Sequence, residues 1–228
     1  MDPSGNILQT RFLLNMSRIH GLLRVTRLDY EELKPSAVFQ SEGIRADILR
    51  SAVVFLHATF EDVVRSRIPR RKQDKKWNFY SGRDLDKALR LAGIEAQPFK
   101  TLYPTLTQLA KRRKRIVHNG DLPTPAATIS EPWQLADDWQ LVMWLLAVSA
   151  FYYQLCVSVD ADTIVEKKAH QNHMQAMHEW HNVAKAFIGF SEVPSDQRLS
   201  AIKEIADMVK KVGDILPLDA NALIAEIS

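Results

Sequence analysis

Apolar residues recur along this chain every three or four positions, the spacing of one face of an α-helix. Leu8, Phe12, Met16, Ile19, Leu23 and Leu28 predict a first helix from Ile7 to about Leu33, ended by Pro35. A second stripe, Ile44, Ile48, Leu49, Ala52, Val53, Leu56, Phe60 and Val63, predicts a helix from Glu42 to Arg67, closed by Pro69. Residues 69–81 are charged, break the pattern and predict an exposed loop. A short helix is expected from Asp84 to Leu91, before Gly93 and Pro98. The next begins near Leu102 or Pro104 and stops at Asn119-Gly120, because glycine readily takes the left-handed conformation that ends helices.

The following stretch, Trp133 to Val159, is the most apolar. Its core "LVMWLLAVSAFYYQLCVSV" has the length of a membrane span. Gln154, Tyr152 and Tyr153 interrupt it, Asp137, Asp138, Asp160 and Asp162 flank it, and no basic cluster lies beside it. A helix buried among others is the expectation, with no membrane partner. A polar helix (Ala161 to Phe190), an amphipathic one (Asp196 to Val212) and a tail helix (Asp219 to Ile227) follow. No strand-like alternation is present, so the chain is expected to be all-α. The expected division is a helical bundle over 5–160 and appended C-terminal helices over 161–228.

Composition alters this picture in one respect. The net charge of +3 conceals a segregation: residues 65–115 contain 16 Lys/Arg against 4 Asp/Glu, a net of +12, and the rest carries −9. Concentrated positive charge points to an anionic partner, with nucleic acid foremost. Arg70, Arg71 and Lys72 in the charged loop are candidate RNA contacts. One cysteine, Cys156, cannot form an internal disulfide, and the polar N-terminus has no secretory pattern; both suit a cytoplasmic protein.

The densest basic run, Arg112-Arg113-Lys114-Arg115-Ile116-Val117-His118-Asn119-Gly120, ends in a lone histidine and contains no acid. An imidazole exchanges protons near neutral pH and guanidiniums grip phosphate, which is the minimum equipment for cutting RNA without a metal. On a helical wheel Arg113 lies within the stripe of Leu102, Leu106, Leu109 and Ile116, where an ionised group requires a partner or a boundary. Arg112 and Arg115 point elsewhere and are expected in solvent. His118 lies about 140° from Arg113 on an ideal helix. Bringing them together requires a loosened helix end at Asn119-Gly120, a long reach by the arginine, or a second copy of the chain across a two-fold axis.

An arginine, four to six intervening residues and then a histidine, at the C-terminal end of a helix in an all-α chain, is the signature of the HEPN superfamily. "RRKRIVHNGD" resembles its stand-alone prokaryotic branch, similar to the RiboL-PSP type, and "LRSAVVFLHATFEDVVR" (Leu49 to Arg65) resembles that branch's second helix. The similarity covers roughly residues 5–160. It implies an up-and-down four-helix bundle core, a homodimer and a metal-independent endoribonuclease, with Arg113 and His118 as the catalytic pair and no cofactor. Glu61, Lys114 and Asn119 would support the site, and Arg112 and Arg115 would contact RNA. Proteins of this kind often serve as toxins or antiviral defence effectors, controlled by a cognate inhibitor or antitoxin. Active members commonly carry a small polar residue or histidine after the arginine; here that position is Lys114. This opens an alternative: a non-catalytic RNA-binding or helical protein-interaction module.

Other groupings are weaker. His57 and Glu61 share a helix face; Glu61 could orient a histidine or pair with Arg113 across the bundle, and a structural acid partnering an arginine is the expectation. His170, His173, His178 and His181 lie on the polar helix, but "HEWH" lacks H-E-x-x-H spacing and no third ligand is evident, so no metal site is expected. Trp133, Trp139, Trp144, Tyr152 and Tyr153 are expected to pack in a core or dimer contact rather than stack on bases.

Overall fold

A computed structural model describes residues 3–26, 43–69, 79–121, 133, 135–160 and 164–213. The described residues are helical, with no strand among them. In order they form α1 (Pro3–Val25), α2 (Gly43–Ser66), α3 (Gly82–Leu91), a 3₁₀ segment (Gln97–Leu102), α4 (Tyr103–Asn119), α5 (Leu135–Val159), α6 (Ile164–Gly189), a short 3₁₀ turn (Phe190–Glu192) and α7 (Arg198–Gly213). The expected C-terminal tail helix and the loop cations Arg70, Arg71 and Lys72 lie outside the described residues.

The apolar stripes become the core. Phe12, Ile19 and Leu23 of α1 are buried where that helix packs on α2. Leu49, Val53, Leu56 and Phe60 of α2 face inward, and α2 also meets α4 and α5. Arg11 and Asp62 add an ion pair at the outer edge of the α1–α2 contact. Leu106, Leu109 and Ala110 are the buried face of α4. The 3₁₀ segment before it was not legible from spacing. It buries Phe99 and Leu102, and Phe99 packs on Phe151 of α5 with ring centroids 4.9 Å apart.

Helix α5 explains its own composition. Its span Asp137–Val159 is long and apolar enough to cross a membrane, yet Leu141, Val142, Leu146, Ala147, Ala150 and Phe151 are buried by neighbouring helices. Helix α6 lies along α5 and α7 packs on α6. Trp180 of α6 stacks on Trp139 at 4.4 Å, and its indole N–H donates to the Trp139 carbonyl at 3.2 Å. Ala176, Met177, Val183 and Ile205 join the same hydrophobic cluster as α1–α5, so residues 164–213 extend one core.

Candidate functional site

The end of α4 is built by a chain reversal. The helix is regular through Asn119, and Gly120 caps it in the left-handed conformation (φ 58°) while donating to the Arg115 carbonyl. A side chain on Gly120 would meet open space, so it is this φ that calls for glycine there. Asp121 is left-handed as well (φ 58°), which is uncommon for a residue with a side chain, though Asp tolerates it better than most. Its N–H also returns to Arg115 O, at 3.2 Å.

The reversal drives the Asp121 carboxylate inward, where it is 0% exposed. Arg50 Nε of α2 donates to its Oδ2 at 3.0 Å, Arg112 Nη2 donates to Oδ2 at 2.8 Å, and Arg115 Nε donates to Oδ1 at 2.9 Å. Burying an ionised carboxylate is costly unless it is paired and hydrogen-bonded, and here it is both. Asp47 pairs with Arg50 at 3.0 Å, and Asp137 of α5 approaches Arg112 at 3.5 Å. The expectation that Arg112 and Arg115 face solvent is therefore corrected. The Arg112 side chain is only 10% exposed and that of Arg115 37%, both turned onto an acid three residues beyond His118. The basic run holds no acid within itself; its counter-charge comes from the residue just past the helix.

A second polar contact lies nearby. Asp138 of α5 is buried and accepts from Trp133 Nε1 at 2.9 Å and from Arg45 Nη2 of α2 at 2.7 Å. The Arg112 guanidinium lies 5.5 Å from the Trp133 ring centroid. Asp121 and Asp138 are thus each tied to α2 by an arginine.

The proposed pair sits on this framework. His118 and Asn119 are exposed in the last turn of α4. Arg113 is half-buried, and none of the described carboxylates pairs with it. Helix α4 does not loosen before Gly120, so within one chain Arg113 and His118 keep the different faces that helical spacing gives them. Lys114 extends over the Tyr80 ring at 5.3 Å. Glu61 does partner an arginine, but on its own helix: it lies 3.6 Å from Arg65 and 3.8 Å from the buried His57.

Between α2 and α4 runs a cleft of ≈ 400 Å³ lined by Asp47, Arg50, Ser51, Val54, Phe55, Ile116 and Gly120. Phe55 beside it is 51% exposed and Val117, adjacent to His118, 47%.

The other candidates fall elsewhere. Trp133, Trp139, Trp144 and Tyr152 are buried and Tyr153 half-buried, as the core expectation required. His170 Nδ1 lies 3.0 Å from the Ala150 carbonyl, and His173 packs against Tyr153 at 5.2 Å, while His178 and His181 are exposed. Among the described residues no three His, Cys, Asp or Glu side chains converge as a metal ligand set. Burial pushes the Cys156 thiol up and the His173 imidazole down from their ordinary pKa values, so the thiol is disfavoured as a nucleophile.

Sequence reasoning missed Asp121 and Arg50. A signal for Asp121 was present: Arg112 and Arg115, three apart, share a helix face, and the acid follows a left-handed glycine that folds the chain back. Nothing in the local sequence marked Arg50, which arrives from another helix.

No protein-family model, no curated protein and no solved structure matches this chain.

Proposed function

We propose that the chain is a HEPN-like, metal-independent endoribonuclease acting in the cytoplasm as a homodimer, with His118 as general acid or base and Arg113 as the phosphate-stabilising cation. The observation that carries the reading is an exposed imidazole on the last turn of α4, one face round from a half-buried guanidinium that has no described carboxylate partner. In this reading α1, α2, α4 and α5 are the four helices of an up-and-down core, and α6 and α7 are additions to it.

The chemistry is transesterification. His118 takes the proton of a ribose 2′-hydroxyl as its oxygen attacks phosphorus, or gives a proton to the 5′-oxygen as the P–O5′ bond breaks. Arg113 stabilises the charge on the pentacovalent phosphorus. The products are a 2′,3′-cyclic phosphate and a free 5′-hydroxyl, and the 2′-hydroxyl requirement makes the substrate RNA rather than DNA. Two copies related by a two-fold axis would supply one imidazole for each proton transfer and bring Arg113 of one chain toward His118 of the other. Exposed Phe55 and Val117 beside the α2–α4 cleft support that self-association. Cations available to RNA on α4 are Lys111, Arg113, Lys114 and the outer edge of Arg115, and the sequence adds Arg70, Arg71 and Lys72 as candidates. Control by a cognate inhibitor or antitoxin, as in toxin and defence systems, belongs to the same proposal.

Purified protein incubated with structured and single-stranded RNA in the presence of EDTA is expected to yield cyclic-phosphate ends, and His118→Ala and Arg113→Ala are expected to abolish them. Intact RNA, or cleavage unchanged in His118→Ala, overturns the reading. Lys114, at the position after the arginine, favours one alternative, a non-catalytic RNA-binding module. It predicts RNA affinity that falls steeply with salt and survives His118→Ala.

A further inference from the structure

We infer that Asp121 is a positioning residue for His118. Its buried carboxylate draws in α2 through Arg50 and the last two turns of α4 through Arg112 and Arg115, and so fixes the turn from which the imidazole projects. The inference rests on the nuclease reading for its catalytic consequence, but not for its structural content.

Helix ends fray, because their last carbonyls lack partners within the helix and few contacts hold the final turn. His118 and Asn119 stand in such a turn, are exposed, and have no side-chain partner among the described residues. No described side chain holds the imidazole, so the backbone sets the point from which it projects. That backbone is held from both sides. Upstream, Arg112 and Arg115 emerge six and three residues before the histidine; downstream, Asp121 follows it by three and closes on both. Arg50 then joins the closed loop to α2, the helix that forms the opposite wall of the cleft beside Gly120.

Two features mark this as more than a surface ion pair. The carboxylate is wholly buried, and both of its oxygens accept charged donors. Its residue also occupies a left-handed conformation, a local strain that the three guanidinium contacts offset. Proton transfer demands placement within a fraction of an ångström, so loosening this turn reduces turnover more than substrate affinity.

Asp121→Asn preserves shape and removes the charge. For the wild-type and variant full-length proteins, RNA cleavage and amide hydrogen exchange are measured together, and Arg50→Gln serves in the same way if Asp121→Asn fails to fold. The expected result is a kcat lowered by roughly ten- to a hundredfold with KM within about twofold. Exchange at Val117–Gly120 is expected to accelerate by roughly tenfold or more while Leu106–Ala110 stays protected. A variant with unchanged kcat and unchanged exchange overturns the inference. Exchange that rises uniformly along α4 and α5 also overturns it, because the residue is then a general stabiliser. If wild-type protein cleaves no RNA, the nuclease reading fails, and the exchange pattern alone decides whether the turn is clamped by Asp121.

Discussion

Two junctions in this molecule are held by opposite means. The α5–α6 seam is mainly apolar: Trp180 on Trp139, with Ala176 and Val183 packed into the shared core and no ion pair among its described contacts. The junction of α2 with the end of α4 is ionic: three arginines on one aspartate. Apolar burial is non-directional and scales with area, so the seam supplies stability and tolerates small displacements. A carboxylate satisfied by three guanidiniums is directional, and its net contribution is reduced by the desolvation of every charge involved. Such a contact contributes less to stability than its number of bonds suggests, but it restricts geometry closely. The ionic junction ties the last turns of α4, which carry the proposed catalytic histidine, to α2.

The most severe way to break the seam is Trp180→Ala, which removes a large buried side chain and leaves a cavity. A loss of about 3–5 kcal/mol in denaturant unfolding is expected, with RNA cleavage by the remaining folded fraction unchanged. Asp121→Asn tests the other junction. Removing the charge the three guanidiniums share is expected to cost about 1–3 kcal/mol, less than an orphaned buried charge, because Arg50 keeps Asp47, Arg112 keeps Asp137 and Arg115 is partly solvated. Here turnover is expected to fall out of proportion to stability. If both substitutions lower stability and turnover in parallel, the contrast between the junctions is false.

Acidification sharpens the comparison at smaller amplitude. Burial, as the largest cause, lowers the His173 pKa, with the charge of His170 acting in the same direction and a hydrogen bond to Ala169 opposing. The unfolded chain then takes up a proton before the folded one does. Stability contributed by the neutral imidazole is complete above about pH 6.5 and falls as pH drops from there toward the depressed folded value. His173→Gln is expected to flatten that part of the stability profile, read from thermal melts between pH 7.5 and 5. His118→Ala gives the smallest effect on stability, within about 0.5 kcal/mol, as befits an exposed helix-end residue. A larger loss would mean that His118 is a packing residue rather than a free imidazole.

The division of labour between the junctions also explains which parts of the molecule could be read from sequence. Helices α2 and α4 follow from apolar spacing plus Pro69 and Gly120, and their ends agree with expectation to within a residue or two. Helix α5 could be placed in a core rather than a membrane because Gln154, Tyr152 and Tyr153 interrupt it. The 3₁₀ segment Gln97–Leu102 was missed because six residues do not display a period. The ionic junction was missed for a different reason. Spacing on α4 places Arg112 and Arg115 on a face, but the direction in which they turn is decided by Asp121, whose inward course depends on two successive left-handed residues. A wheel diagram ends where the helix ends, so it cannot show an acid that folds back beneath it.

The reversal at Gly120-Asp121 also makes the interval from Arg112 to Asp121 a fixed measure. Inserting or deleting one residue between Arg115 and Asp121 would swing the carboxylate about 100° around the helix axis and away from the Arg112 and Arg115 guanidiniums. The length of that interval is therefore as much a part of the junction as the charges at its two ends.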